Sequence, residues 1–115
     1  MTNRDQQFED LRERGFRLYD QRDNLTIKQR RLTNLIPDYQ SLVSRISQTV
    51  EEATDVCQGS RWSQSIRQEE DKYWSLKSSG QTALTAYQKS LKTEAAQVQA
   101  LIDRNERAKA ALFDN

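Results

Sequence analysis

One column of residues constrains this chain more than anything else in it. Counting in sevens from Leu11 meets Leu18, Leu25, Leu32, Tyr39, Ile46 and Ala53. Residues seven apart lie almost above one another on an α-helix, so an unbroken column of this kind marks a helix that buries a narrow stripe against another helix. With this column at d, the a positions are Phe8, Gly15, Arg22, Gln29, Ile36, Val43, Val50 and Cys57. The stripe is two-sided from Ile36 onward. Before that it is a leucine column flanked by Gly, Arg and Gln.

The periodic run stops at Gly59, the residue type that most readily ends a helix in the left-handed conformation. Ser60 follows as an N-cap for a second helix. In that second run one column reads Leu84, Leu91, Val98, Asn105 and Leu112, extended backwards through Lys77, Glu70 and Ser63. Its partner column reads Ile66, Tyr73, Gly80, Tyr87, Glu94, Leu101 and Ala108. The expected architecture is all-α: a long antiparallel helical hairpin, that is, a two-helix coiled coil, in which residues 1–115 form a single domain. Helix 1 spans about 4–57, the turn 58–60 and helix 2 about 61–112.

A turn centred on Gln58 sets the register. It pairs Phe8 with Ala108, Gly15 with Leu101, Leu18 with Val98, Leu25 with Leu91, Leu32 with Leu84, Val43 with Tyr73 and Val50 with Ile66. Arg22, the charged a residue of helix 1, meets Glu94, the charged residue of the facing column, and the two are expected to form an ion pair in the seam. Leu11 opposite Asn105, Tyr39 opposite Lys77 and Ile46 opposite Glu70 are mismatched. Pro37, the one proline, falls level with the Lys77–Gly80 stretch "KSSG". Proline removes a helix hydrogen bond, and Ser-Ser-Gly is a weak helix former, so the hairpin is expected to bend near its middle. The competing expectation is four shorter helices, with Pro37 starting one of them.

Composition narrows the function classes. The chain has no His and one Cys, Cys57, on the seam as a small buried hydrophobe. With no histidine to activate it, that thiol makes no catalytic pair. Glu69, Glu70 and Asp71 are adjacent in sequence and diverge around a helix, and the three glycines lie too far apart for a phosphate loop. No enzyme, cofactor or metal is expected. Lys plus Arg number 18 and Asp plus Glu 17. Residues 1–57 carry 9 basic and 10 acidic groups and residues 58–115 carry 9 and 7, so no nucleic-acid partner is expected. No apolar run is long enough to enter a membrane, and the start, "MTNRDQQFED", has no apolar signal core, so a cytoplasmic protein is expected.

A two-helix hairpin buries little, yet apolar residues remain off the seam. Leu35, Leu42 and Val56 on helix 1 and Trp62, Trp74, Leu76 and Ala83 on helix 2 are among them. They predict a second apolar face centred on Leu35, Leu42 and Trp74, with Trp62 near the turn, that docks on a further helix.

A helical hairpin of this length resembles the small proteins of the type VII secretion system. The turn "GSRWSQ" has Trp62 but lacks the Trp-x-Gly of the best-known members. The chain is more similar to the LXG-toxin-associated α-helical (Lap) partner proteins of Gram-positive bacteria. "FRLYD" matches the Phe-x-x-x-Asp export-signal pattern at Phe16 and Asp20, though on helix 1 and not near the end of helix 2, where that family carries it. The resemblance implies a targeting partner or chaperone for the helical N-terminal domain of an LXG-type toxin. It also implies a second small helical protein as companion and co-export with cargo by a route without a signal peptide. The alternative is a structural coiled-coil homodimer, or an adaptor of another secretion system.

Overall fold

The computed structural model describes residues 2–114. It contains two α-helices, α1 over Asn3–Cys57 and α2 over Ser63–Ala111, folded as a helical hairpin. Helix α1 begins with a reciprocal cap. The Asp5 N–H donates to Thr2 Oγ1 at 3.1 Å, and the Thr2 N–H donates to Asp5 Oδ2 at 3.3 Å, so two backbone donors at the helix start are satisfied. α1 stays helical through Pro37, so the four-helix alternative is not what the chain adopts.

The turn runs over residues 58–62, two residues longer than expected. Gly59 has φ +77°, the left-handed conformation that ends a helix at little cost only in glycine. The Ser60 N–H and hydroxyl both donate to the Cys57 carbonyl, at 3.0 and 2.6 Å. Ser60 Oγ in turn accepts the Trp62 N–H at 3.2 Å, so Ser60 caps one helix end and starts the next.

Contacts gather into two compact units, each built from a stretch of both helices. One comprises the chain up to Arg31 and from Gln88; the other is Leu32–Tyr87. In the first, Leu18, Leu25, Leu91 and Ile102 form a buried apolar stripe. Asn105 is buried beside them and donates from Nδ2 to the Leu11 carbonyl at 2.9 Å, which resolves the mismatch expected there. Phe8 and Phe113 meet edge to face with ring centres 5.3 Å apart. Tyr19 Oη donates to Glu106 Oε1 at 3.0 Å, and Lys109 Nζ lies 3.1 Å from the same oxygen. Lys109, then Tyr19, hold the Glu106 carboxyl below its ordinary range; the bond to Glu106 raises the Tyr19 hydroxyl above its own.

In the second unit Leu32 alone is buried among the described residues. Here the register follows expectation at Val43 and Tyr73. The Tyr73 hydroxyl donates to the Val43 carbonyl at 2.9 Å and receives the Ser47 hydroxyl at 2.8 Å. Tyr39 reaches Gly80, one turn beyond Lys77. Its ring lies over Gly80, where an added Cβ would fall 2.5 Å from the hydroxyl oxygen. Glu70 is not opposite Ile46 but 3.0 Å from Thr54 Oγ1.

On α1 the expected seam residues Arg22 and Ile46 are exposed, and on α2 one expected column fails from Tyr87 to Leu101. Tyr87, Glu94 and Leu101 all face solvent, whereas Ile102, expected off the seam, is 4% exposed against 44% for Leu101. Leu91, Val98, Asn105 and Leu112 keep their step of seven on the inward side. Their partner column is Gln88, Ala95, Ile102 and Lys109, each half-buried or buried. Its first three members lie one residue beyond Tyr87, Glu94 and Leu101, so the inward stripe lies on the other flank of the column. With Ala95 turned inward in place of Glu94, the expected Arg22–Glu94 pair does not form. Arg22 lies over the Tyr19 ring at 4.8 Å and pairs with its neighbour Asp23 at 3.2 Å, while Glu94 has no ion pair among the described residues.

Candidate functional site

The two units bury their apolar side chains unequally. Four of the five buried hydrophobic residues, Leu18, Leu25, Leu91 and Ile102, belong to the first unit. Eight of the twelve exposed large hydrophobic residues belong to Leu32–Tyr87. Apolar burial is the main force that holds a helix pair together, so the second unit leaves most of its share unused.

Part of that surface is organised as a groove. An open apolar groove of about 510 Å³ runs between the helices and is lined by Leu35, Ile36, Tyr39, Leu42, Gly80 and Ala83, among others, with Asp38 the one charged residue on its rim. Its width comes from residue size. Leu35 and Leu42, seven apart, stand as a ridge on α1, 60% and 48% exposed. Opposite them α2 presents Gly80 and Ala83, which have almost no side chain to fill the space. Leu76, seven residues before Ala83 on the same side of α2, is 73% exposed. The groove floor closes where the Tyr39 ring crosses the Gly80 backbone.

Leu35 and Leu42 are therefore brought together as expected, but Trp74 does not join them. Trp74 and Ala83 are nine residues apart, and at ~100° per residue that separation is about half a turn out of phase. Trp74 points away from the groove. Its indole Nε1 donates to Glu70 Oε1 at 3.3 Å, Lys77 Nζ lies 4.5 Å above its ring, and Tyr73 packs beside it at 5.2 Å. Trp62 stands apart again, in the turn, with the Arg61 guanidinium 4.8 Å over its ring. Phe16 and Asp20 are both exposed on α1 in the first unit, and Arg12 covers the Phe16 ring at 5.5 Å.

Ala83, an off-seam residue outside the expected centre, lines the groove, and Leu76 lies on the same side of α2. The signal was present in the sequence: Leu76 and Ala83 are seven apart, as Leu35 and Leu42 are, whereas Trp74 keeps no such step with Ala83.

Among the described residues no group of three or more His, Cys, Asp or Glu is placed to hold a metal ion. No helix is long and apolar enough to cross a membrane. What the groove offers chemically is apolar area beside one leucine ridge, a surface that takes the apolar face of a helix. No family model matches the chain, and neither a curated protein nor a solved structure matches it.

Proposed function

We propose that this chain is a helical binding partner whose Leu32–Tyr87 groove seats a helix of another protein. The observation that carries this reading is the apolar groove bordered by Leu35, Leu42 and Ala83, in a unit where Leu32 alone is buried. Seating a helix there covers Leu35, Leu42 and Leu76 together. Each contributes about 1.5–3 kcal/mol when fully buried, enough for three to offset much of the entropy cost of association.

The cargo we propose is the helical N-terminal domain of an LXG-type toxin, with this chain acting as its targeting partner for type VII secretion. Support comes from the resemblance in length and hairpin architecture, and from the Phe16–Asp20 export-signal pattern, whose residues are exposed.

The test is co-expression with the N-terminal domain of an LXG-type toxin encoded beside this gene, followed by purification through a tag on the toxin. The expected result is a stable complex that Leu42→Asp abolishes and Trp74→Arg leaves intact, with circular dichroism unchanged in both. Binding that survives Leu42→Asp overturns the groove as cargo site. A chain that light scattering shows to be a dimer alone, broken by Leu42→Asp and indifferent to toxin, makes the groove a self-association surface and overturns the cargo reading.

A further inference from the structure

The first unit carries a groove of a different character. Near its end the walls are Leu11, Arg14 and Leu18 on α1, facing Leu101, Arg104 and Ala108 on α2, around about 380 Å³. Leu101 also lines the adjoining stretch of about 320 Å³, where Gln21 and Lys28 face Glu94 and Gln97. From Ala108 to Glu94 the groove follows fifteen residues of α2, ~21 Å over the fourteen steps at 1.5 Å each, close to four helical turns.

Its floor is aliphatic, and its polar walls carry three cations and one carboxylate among neutral amides. Arg14 and Arg104 stand on opposite walls, both exposed, and neither forms an ion pair among the described residues. Lys28 adds a third cation, and Glu94 is the one carboxylate. The whole unit has net charge +3, against −2 for Leu32–Tyr87. Leu101, which a heptad count buries, is the exposed apolar centre of this surface.

We infer that this groove docks an acidic amphipathic helix of a partner protein. Its apolar stripe covers Leu101, and carboxylates on its two flanks reach Arg14 on one wall and Arg104 on the other. Guanidinium groups suit this role, because their planar donor fork matches a carboxylate and they are more weakly hydrated than ammonium. The aliphatic floor has no aromatic platform on which a base stacks, so the occupant is a protein helix and not a nucleic-acid strand. The inference stands on the first unit alone and does not require the Leu32–Tyr87 groove to bind anything.

The probe is a fluorescent 18-residue helical peptide with a Leu stripe at i, i+4, i+7 and i+11 and Glu on both flanks. The control has Lys in place of each Glu. Anisotropy with the full chain at low and at moderate salt is expected to show the Glu peptide binding at least about ten-fold more tightly than the Lys peptide, with salt weakening it. Arg14→Glu with Arg104→Glu is expected to remove that preference, and Leu101→Asp to abolish binding, in variants whose circular dichroism matches the parent. Leu42→Asp is expected to leave the affinity unchanged, which separates this surface from the other groove. Equal binding of the two peptides, no binding of the Glu peptide, or binding indifferent to Arg14→Glu/Arg104→Glu overturns the inference. So does displacement of the Glu peptide by single-stranded DNA.

Discussion

The Asn105 side-chain amide rests directly on Gly15. A Cβ added to Gly15 would lie 3.1 Å from Asn105 Nδ2, the atom that donates to the Leu11 carbonyl one turn earlier. Asn105 Oδ1 is buried with no donor of its own, so this amide is held by one bond and by the absence of a side chain on Gly15. A polar residue in a coiled-coil seam sets register at some expense of stability, and here it does so because a single alignment brings the amide over a glycine.

That relationship predicts a change of sign. In an ordinary helix Gly→Ala stabilises by about 1 kcal/mol. Here the new methyl pushes Nδ2 from the Leu11 carbonyl and leaves a buried donor unsatisfied, which costs about 1–3 kcal/mol. Gly15→Ala is therefore expected to lower stability by about 1 kcal/mol, and to raise it when made in an Asn105→Ala background. Urea unfolding of the four proteins measures the cycle. A stabilising Gly15→Ala in the parent would show that the amide has room to move.

Gly80 makes the same argument with tighter geometry. The added Cβ would meet the Tyr39 hydroxyl oxygen at 2.5 Å but the ring carbon behind it only at 3.6 Å, an ordinary contact. Gly80→Ala is expected to destabilise the parent and to stabilise a Tyr39→Phe protein by about 1 kcal/mol, the helix propensity of alanine. Thermal melts of Gly80→Ala with and without Tyr39→Phe check it. Two shifts of the same sign would place the ring elsewhere.

Arg22 and Glu94 are expected to behave as independent residues. Arg22 is occupied by Asp23 and the Tyr19 ring. A double-mutant cycle on Arg22→Ala and Glu94→Ala should give a coupling within about 0.3–0.5 kcal/mol of zero, the limit for sites that share no contact. Arg22→Ala with Tyr19→Leu should give a measurable one, because a cation over an exposed ring contributes about 0.5–1 kcal/mol.

Tyr19 and Glu106 predict a pH response at the surface of the first unit. The folded carboxyl of Glu106 is held below its unfolded value by Lys109 and Tyr19, so the stabilisation it brings is present at neutral pH. It fades only as pH falls through that lowered value. Tyr19 is raised, so its share is present below the ordinary tyrosine value and is lost as pH climbs through the folded one. Carboxyl-carbon NMR should find Glu106 titrating below the ordinary glutamate value, and Tyr19→Phe or Lys109→Ala should each move it back upward. A Glu106 midpoint unmoved by both changes would remove this network.

The sequence by itself determined the all-α class, the two helices and the turn. An unbroken seven-residue column, one left-handed glycine and a serine cap are local features, and each acts through the few residues next to it. It also carried the ridge of Leu35 and Leu42, because residues seven apart share a side of any helix. Only the tertiary structure decided which side of α2 faces α1. The column Leu91, Val98 and Asn105 can take its inward partner from either flank, and packing chose Ala95 and Ile102 over Glu94 and Leu101. That choice buried Ile102 and exposed Leu101, separated Arg22 from Glu94 and set Asn105 over Gly15. It also turned Trp74 away from the leucine ridge and put Ala83 in its place, because the side of a helix that meets a neighbour depends on the neighbour as much as on the helix.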